Sequence, residues 1–309
     1  MRVAFFGTPD FAVPCLEALI RAGHEIVCVV TQPDKPAGRG QETKPQAVKI
    51  AAETAGIPVF QPASVRKPPF SPVLAELAPD VAIVVAYGKI LPKDLLDVPR
   101  EGCVNVHGSL LPRWRGAAPI QWSVLSGDAK SGVTTMRMDE GMDTGDILLT
   151  RELVLAPDET AGSLFARLAP MGAELLVETL ARMKSSSLRG IKQDESLATH
   201  ARMLLKEDGR LDWTRSAAEL DRRVRGTSPW PGAFTTAGGK LLKVHRVAVE
   251  AGSAAPGSVL GADADAWRIG TGNGILRLVE VQPEGGKKMT GAEFARGRGA
   301  ALKTVGEIS

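Results

Sequence analysis

The first third of the chain alternates short apolar runs with amphipathic stretches, and this alternation restricts its fold more than any other feature. Val3–Phe6, Ile26–Thr31, Val81–Ala86 and Val104–His107 are short and rich in valine, isoleucine and aromatic residues, the composition of strands. Helical patterns lie between them, near residues 11–22, 45–55 and 70–78. Strand–helix alternation predicts an α/β fold built on a doubly wound, Rossmann-like parallel sheet. The longest apolar run, Val81 to Tyr87 (VAIVVAY), reads as a strand buried on both faces. It is far shorter than the roughly 20 residues that span a bilayer. Ligands on such sheets bind outside the carboxyl ends of the strands, so Gly7-Thr8, Gly88 and Asn105–Gly108 are expected to gather along one edge.

Further on, Ile147–Leu155 reads as another strand. A long helix is expected from about Thr160 to Met183, with Leu164, Leu168, Met171, Leu175 and Leu180 near helical spacing. Ser185-Ser186-Ser187 and the polar run to Thr199 lose periodicity. The expected organisation is therefore a first domain over 1–187, a linker over 188–205 and a second domain over 206–309. A helix opens at Ser216 with Glu219 three residues on, the pattern of a capping box. Beyond Pro229-Trp230-Pro231, β-like runs broken by glycine fall at 232–237, 241–249, 257–260, 266–271 and 275–282. Such spacing suits a small barrel or sandwich.

Composition narrows the classes of function. With 44% hydrophobic and 24% charged residues the chain is ordinary for a globular protein in water. Gly7-Thr8-Pro9-Asp10 interrupts the first apolar stretch too early for a secretory signal. Cys15, Cys28 and Cys103 are scattered among apolar neighbours and read as core residues of a reducing compartment. A cytoplasmic protein with no membrane partner is expected. Residues 200–309 hold 17 Lys and Arg against 12 Asp and Glu, a net of +5, and the rest of the chain carries −2. A basic carboxy-terminal region suits an enzyme whose substrate trails a polyanion. The G-x-G-x-x-G fingerprint is absent, which argues against a dinucleotide cofactor.

Chemistry concentrates between residues 105 and 146. Period-2 alternation puts Asn105 and His107 on one strand face, with Val104 and Val106 on the other. A carboxamide polarises an oxygen and an imidazole moves a proton, the pair that transfer of an acyl-type group requires. An acidic loop follows, Asp139 to Asp146, and Asp143 is the carboxylate expected to hold one ring nitrogen and steady the charge that forms there. Its spacing does not match a calcium loop. Each residue alone has a structural explanation, since strand-end histidines often only pack and an asparagine near a turn often caps backbone. Their joint order is what points to catalysis. No side-chain nucleophile accompanies them, so direct transfer is expected over a covalent intermediate.

At these residues a resemblance becomes visible. The segment NVHGSLLPRWRGAAPIQW, the opening FFGTPDFAVP and the loop TQPDKPAGRG resemble the folate-dependent formyltransferases, and the last two with RWRGAAPIQW resemble their tRNA-directed branch. The likeness runs in order from Val3 to about Glu293. It implies 10-formyltetrahydrofolate as donor, the α-amine of methionine on initiator tRNA as acceptor, no metal and a monomer. Glycinamide ribonucleotide or an amino-sugar nucleotide is the alternative acceptor. Ser109, Leu110, Leu111 and Pro112 would line the folate pocket, with Gly88, Ile90 and Leu91 as the opposite wall. Residues 206–309 would form an OB-like, tRNA-binding domain.

Thr31 to Pro45 is a proline- and glycine-rich connection of the kind that often serves as a lid. By resemblance Arg39 reaches the acceptor end of the tRNA, with Lys35 beside it on the loop. Gln41 and Glu42 stand where relatives are often basic, leaving the loop a net charge of only +1. Arg113 and Arg115 flank Trp114 and either meet the polyanion or close the site. Lys206, Arg222, Arg223, Arg225, Lys240, Lys243, Lys287 and Lys288 are candidates for a track along the acceptor arm.

Overall fold

The structure, a computed structural model, describes residues 1–37 and 42–306. The chain divides into two compact units: Met1–Pro119, Lys130–Val154 and Phe165–Arg202 form one, and Ile120–Ala129, Leu155–Leu164 and Met203–Ser309 the other.

The strands associated with the first unit are β1 (Arg2–Gly7), β2 (Glu25–Val30), β3 (Lys35–Ala37), β4 (Glu42–Lys44), β5 (Val59–Phe60), β6 (Val81–Val85), β7 (Cys103–His107), β8 (Arg115–Gly116), β9 (Lys130–Arg137), β10 (Ile147–Val154) and β11 (His200–Ala201). Between and after them come helices α1 (Val13–Arg21), α2 (Ala47–Thr54), α3 (Ser71–Glu76), α4 (Lys93–Leu96) and α6 (Ala161–Lys184, from Phe165 on in this unit), while α5 (Pro119–Ser126) belongs from Ile120 on to the second unit. Seven strands form the main sheet in the order β10-β9-β7-β6-β1-β2-β5.

Strands β5, β2, β1, β6 and β7 are parallel, as the alternation predicts, but β9 is antiparallel to β7 and β10 to β9. The sheet is therefore mixed and not wholly parallel. After β7 the chain makes its excursion at the carboxyl edge and re-enters from that same edge, with His107 opposite Thr134. A strand that re-enters where its neighbour left runs antiparallel to it.

All five residues of β6 are buried, and five of the six in β1, because the sheet is covered on both faces. Phe6, Val84, Tyr87, Leu91, Leu95 and Cys103 share one cluster. Val106 and Val133 lie against Gly172 of α6. The three cysteines are buried and free, and burial pushes each thiol up to about 12, so they are inert core residues.

Within the stretch expected as an unstructured loop, β3 and β4 pair antiparallel, Lys35 opposite Lys44 and Ala37 opposite Glu42. Arg39 and Gln41 lie outside the described residues.

The second unit adds α7 (Ala217–Gly226), β12 (Ala233–Ala237), β13 (Lys240–Glu250), β14 (Val259–Ala262), β15 (Trp267–Gly270), β16 (Ile275–Pro283), β17 (Met289–Thr290) and α8 (Gly291–Arg296). Its antiparallel sheet runs β12-β13-β16-β15-β14, with β17 also on β16. Among the described residues no pairing joins β14 back to β12, so the hydrogen-bonded ladder is open. Trp213, Leu220, Val224, Leu242, Val244, Trp267, Leu278 and Phe294 fill its core. Helix α7 opens with the expected box: Glu219 N–H donates to Ser216 Oγ at 3.3 Å and Ser216 N–H to Glu219 Oε2 at 2.9 Å. Among the described residues no helix is long and apolar enough to cross a membrane.

Candidate active site

Parallel β1, β6 and β7 end along one edge, which gathers Gly7-Thr8, the turn after Val85 and the Asn105–Gly108 segment. Hydrogen bonds tie the first two together: Gln32 Nε2 donates to the Tyr87 carbonyl at 3.0 Å, and Thr8 Oγ1 to the same oxygen at 3.3 Å.

His107 is buried, 6% exposed. Its Nε2 lies 2.8 Å from the Trp114 carbonyl oxygen. A carbonyl only accepts, so Nε2 carries the hydrogen and Nδ1 is the nitrogen left to exchange a proton. Nδ1 faces Asp143 Oδ2 at 3.6 Å, longer than a direct hydrogen bond yet within ion-pair range.

Reaching that position requires a reversal of the chain. Arg137 ends β9 opposite Val104, at the far end of β7 from His107. The acidic loop then folds back along β7 to bring Asp143 to the ring. Gly116 N–H donates to the same Asp143 oxygen at 2.7 Å, a charge-assisted contact. Gly116 has φ +112°, and a Cβ there would sit 2.8 Å from the Ala201 carbonyl oxygen, so only glycine serves.

Asn105 shares the strand face of His107 and is half-buried. Its carboxamide oxygen is buried and has no hydrogen-bond partner. An orphaned buried acceptor is costly, and its presence here fits an incoming N–H.

The Ser109–Pro112 turn is knit to β9. Thr134 Oγ1 donates to the Ser109 carbonyl at 2.7 Å and accepts from Leu111 N–H at 3.1 Å, while Ser109 Oγ donates to the Arg113 carbonyl at 2.6 Å. Ser109 and Leu111 are buried, and Leu110 and Pro112 are half-buried. On the other side, Gly88 is exposed with φ +79°, Ile90 is 57% exposed, and Leu91 belongs to the core. Ile90, Leu91 and Pro92 line a cavity of about 320 Å³ together with Arg66, Lys93, Asp94 and Glu140. Of the residues singled out for the polyanion, Lys35 lies on β3 and Lys206 is exposed in the second unit, at the start of a single 3-10 turn (Lys206–Gly209).

Several residues around this site carry no sequence signal. Thr134 is one, a polar residue in a polar strand. Others lie in the stretch expected as a linker. Ile191 bridges Ile147, Thr199 N–H donates to the Pro112 carbonyl, and His200 and Ala201 pair with Arg115 and Gly116. Arg115 is 2% exposed and forms two 2.8 Å bonds to Glu195. That guanidinium holds the Glu195 carboxyl below its ordinary value, and the carboxylate raises Arg115 in return. Arg113, by contrast, stacks 4.4 Å over the Trp114 ring.

A Rossmann-like sheet with an imidazole, a carboxylate and a carboxamide at its carboxyl edge is an arrangement suited to an α/β group-transfer enzyme. Residues 1–180 match the family model described as formyl transferase, and residues 203–299 the model of its C-terminal domain; the chain belongs to the formyltransferase family. It is 51% identical over 296 residues to the methionyl-tRNA formyltransferase of Myxococcus xanthus (strain DK1622), covering 96% of this chain and 95% of the relative. Over 297 residues it is 50% identical to that of Citrifermentans bemidjiense, covering 96% and 93%. The crystal structure of HypX from Aquifex aeolicus in complex with tetrahydrofolic acid superposes with a TM-score of 0.64 at 18% identity, over 96% of this chain and 47% of that one, a likeness of fold.

Proposed function

We propose that this protein transfers the formyl group of 10-formyltetrahydrofolate to the α-amine of methionyl-initiator tRNA, giving N-formylmethionyl-tRNA. The observation that carries the reading is the buried His107 imidazole, fixed at Nε2 and facing Asp143 at Nδ1. It sits in a chain that matches methionyl-tRNA formyltransferases at about half identity over nearly its whole length.

In this reading the folate is a substrate. The amine lone pair adds to the formyl carbon while the C=O electrons move to oxygen, and the adduct collapses with release of N10. The nitrogen that attacks must lose a proton and N10 must gain one. His107 moves that proton at Nδ1, with the Asp143 carboxylate balancing the charge on the ring. Asn105 acts with both ends of its carboxamide: the NH₂ donates to the developing oxyanion, and the orphaned oxygen accepts from the amine and orients it.

Leu110, Pro112 and Ile90 offer apolar surface to the folate rings, Ser109, Leu111 and Leu91 support that surface from within, and Gly88 lets the backbone approach closely. The cavity beside Ile90 carries Arg66 and Lys93 against Asp94 and Glu140, and Arg66 is the cation assigned to a carboxylate of the folate tail. Arg39, Lys35 and Lys206 meet the tRNA. We further propose that the second unit's open sheet curls as an OB-like module for the acceptor arm, and that the enzyme works as a cytoplasmic monomer without a metal.

The test is direct. Purified protein given the folate donor formylates methionyl-tRNA and leaves free methionine untouched, measured as formyl transfer to each. Equal rates on both would remove the tRNA assignment.

A further inference from the structure

In the stretch after α6, one side chain grips the backbone of the acidic loop. Gln193 Nε2 donates to two backbone carbonyls of the acidic loop, that of Asp143 at 2.8 Å and that of Gly145 at 2.7 Å. Its Oε1 accepts from Arg115 Nε at 3.0 Å and Arg115 Nη2 at 2.9 Å. Both hydrogens of the carboxamide nitrogen and its oxygen are thus committed. The orientation is not interchangeable, because the guanidinium only donates and the two carbonyls only accept.

Asp143 needs such a grip. It is a non-glycine residue with φ +57°, in the left-handed region that aspartate tolerates better than most residues but that the chain does not adopt by default. Gly145 lies so close to the Arg137 carbonyl that a Cβ would meet its oxygen at 1.7 Å, so the loop has one route past β9. The same two residues of β8 serve both ends of Asp143. The Gly116 amide binds its carboxylate, and the Arg115 side chain holds the glutamine that binds its carbonyl. Arg115 is in turn fixed by Glu195.

We propose that Gln193 is a positioning residue for the formyl transfer. Locked by Arg115, it sets the Asp143 backbone so that the carboxylate faces His107 Nδ1. Gln193 touches no reacting atom and acts entirely through Asp143. The inference rests on the catalytic reading of Asp143 given above.

Gln193→Glu is the informative variant. The new carboxylate still accepts from Arg115 but offers no hydrogen to the carbonyls of Asp143 and Gly145. The expected result is a fall in kcat of about 100-fold, the cost of a misplaced catalytic group, with KM for methionyl-tRNA and for the folate donor unchanged. Gln193→Ala, which removes the donors without adding charge, should fall by a similar factor. In an Asp143→Asn background either change should have no further effect on kcat, because the group it positions is already gone.

Gln193 is half-buried and its four hydrogen bonds contribute to stability, so both variants should melt a few degrees lower yet remain folded at the assay temperature. A kcat within two-fold of wild type for both variants would overturn the proposal. So would a loss that multiplies with that of Asp143→Asn, since that is the signature of a general structural defect. If Asp143→Asn itself turned over normally, the catalytic reading of the carboxylate would fail first, and the positioning role with it.

Discussion

The two sheets of this protein solve different problems. In the first unit the central strands are buried on both faces and run parallel, so their carboxyl ends collect loops from distant parts of the chain. In the second unit buried and half-buried residues alternate along a strand such as Ala233–Ala237, and charged residues on the strands and their turns are paired. Arg268 pairs with Glu250, Arg277 with Asp263 and Asp265, and Lys288 with Glu280, while on helix α7 Arg225 pairs with Asp221. The parallel sheet concentrates chemistry at an edge. The parallel sheet's counterpart in the second unit holds seven Lys and Arg between Ala233 and Thr290, of which Arg268, Arg277 and Lys288 are held in ion pairs and so are less available to a polyanion.

The largest expected effect tests the first half of that contrast. Replacing His107 with Ala should lower kcat by roughly 10²–10⁴-fold, the usual worth of a positioned acid–base group, while affinity for tRNA stays within two-fold. Single-turnover formylation together with filter binding separates the two quantities. Turnover near wild type would mean that the edge of the sheet is not where the chemistry occurs.

How much of this was legible beforehand follows the same division. Regular elements with a clear period were legible: β1, β2, β6 and β7, the long α6, the Ser216–Glu219 cap and the strand spacing of the second unit. What escaped was structure made of short, remote pairings. Lys130–Arg137 (KSGVTTMR) reads as polar, yet Thr134 and Thr135 are fully buried because their hydroxyls bond to Ser109 and Thr179. Residues 191–201 show no period because their partners, Ile147, Pro112, Arg115 and Gly116, lie on other segments. At the site, the sequence pointed to Asn105, His107 and Asp143 through strand alternation and order. Gln193 carried no local pattern. Which cations of the second unit are paired was hidden for a related reason, since a partner such as Glu280 for Lys288 is invisible until the strands are in register.

A smaller effect sharpens the charge comparison. Lys206, Lys240, Lys243 and Lys287 are exposed, and no ion pair joins any of them to a described residue. Changing these four to Gln should weaken tRNA binding and flatten its salt dependence, each lost phosphate contact reducing the slope of log K against log salt by about 0.9 on a duplex. Changing Arg277 and Lys288 to Gln should instead lower the melting temperature and leave the salt slope as it was. Titration of tRNA binding over several salt concentrations decides between them. Equal slopes for the two sets of variants would mean that ion pairing does not separate working cations from structural ones.

The smallest effect belongs to acid pH and to the pair beside the site. Arg115 holds the Glu195 carboxyl below its ordinary value of 4.5. In the pH window between the lowered folded value and the ordinary one, the unfolded chain binds more protons, so this contribution grows as pH rises and is complete above about 4.5. It is lost as pH falls through the lowered folded value. The Glu195 side chain is 71% exposed, so solvent screens the pair and the contribution is small. Glu195→Gln has nearly the shape of a protonated glutamate. The melting temperatures of wild type and this variant should therefore differ by a constant amount from pH 7 down to about pH 5, then converge below it. Parallel curves down to pH 3 would show that the charge on Glu195 contributes nothing to holding Arg115, and with it nothing to the grip on Gln193.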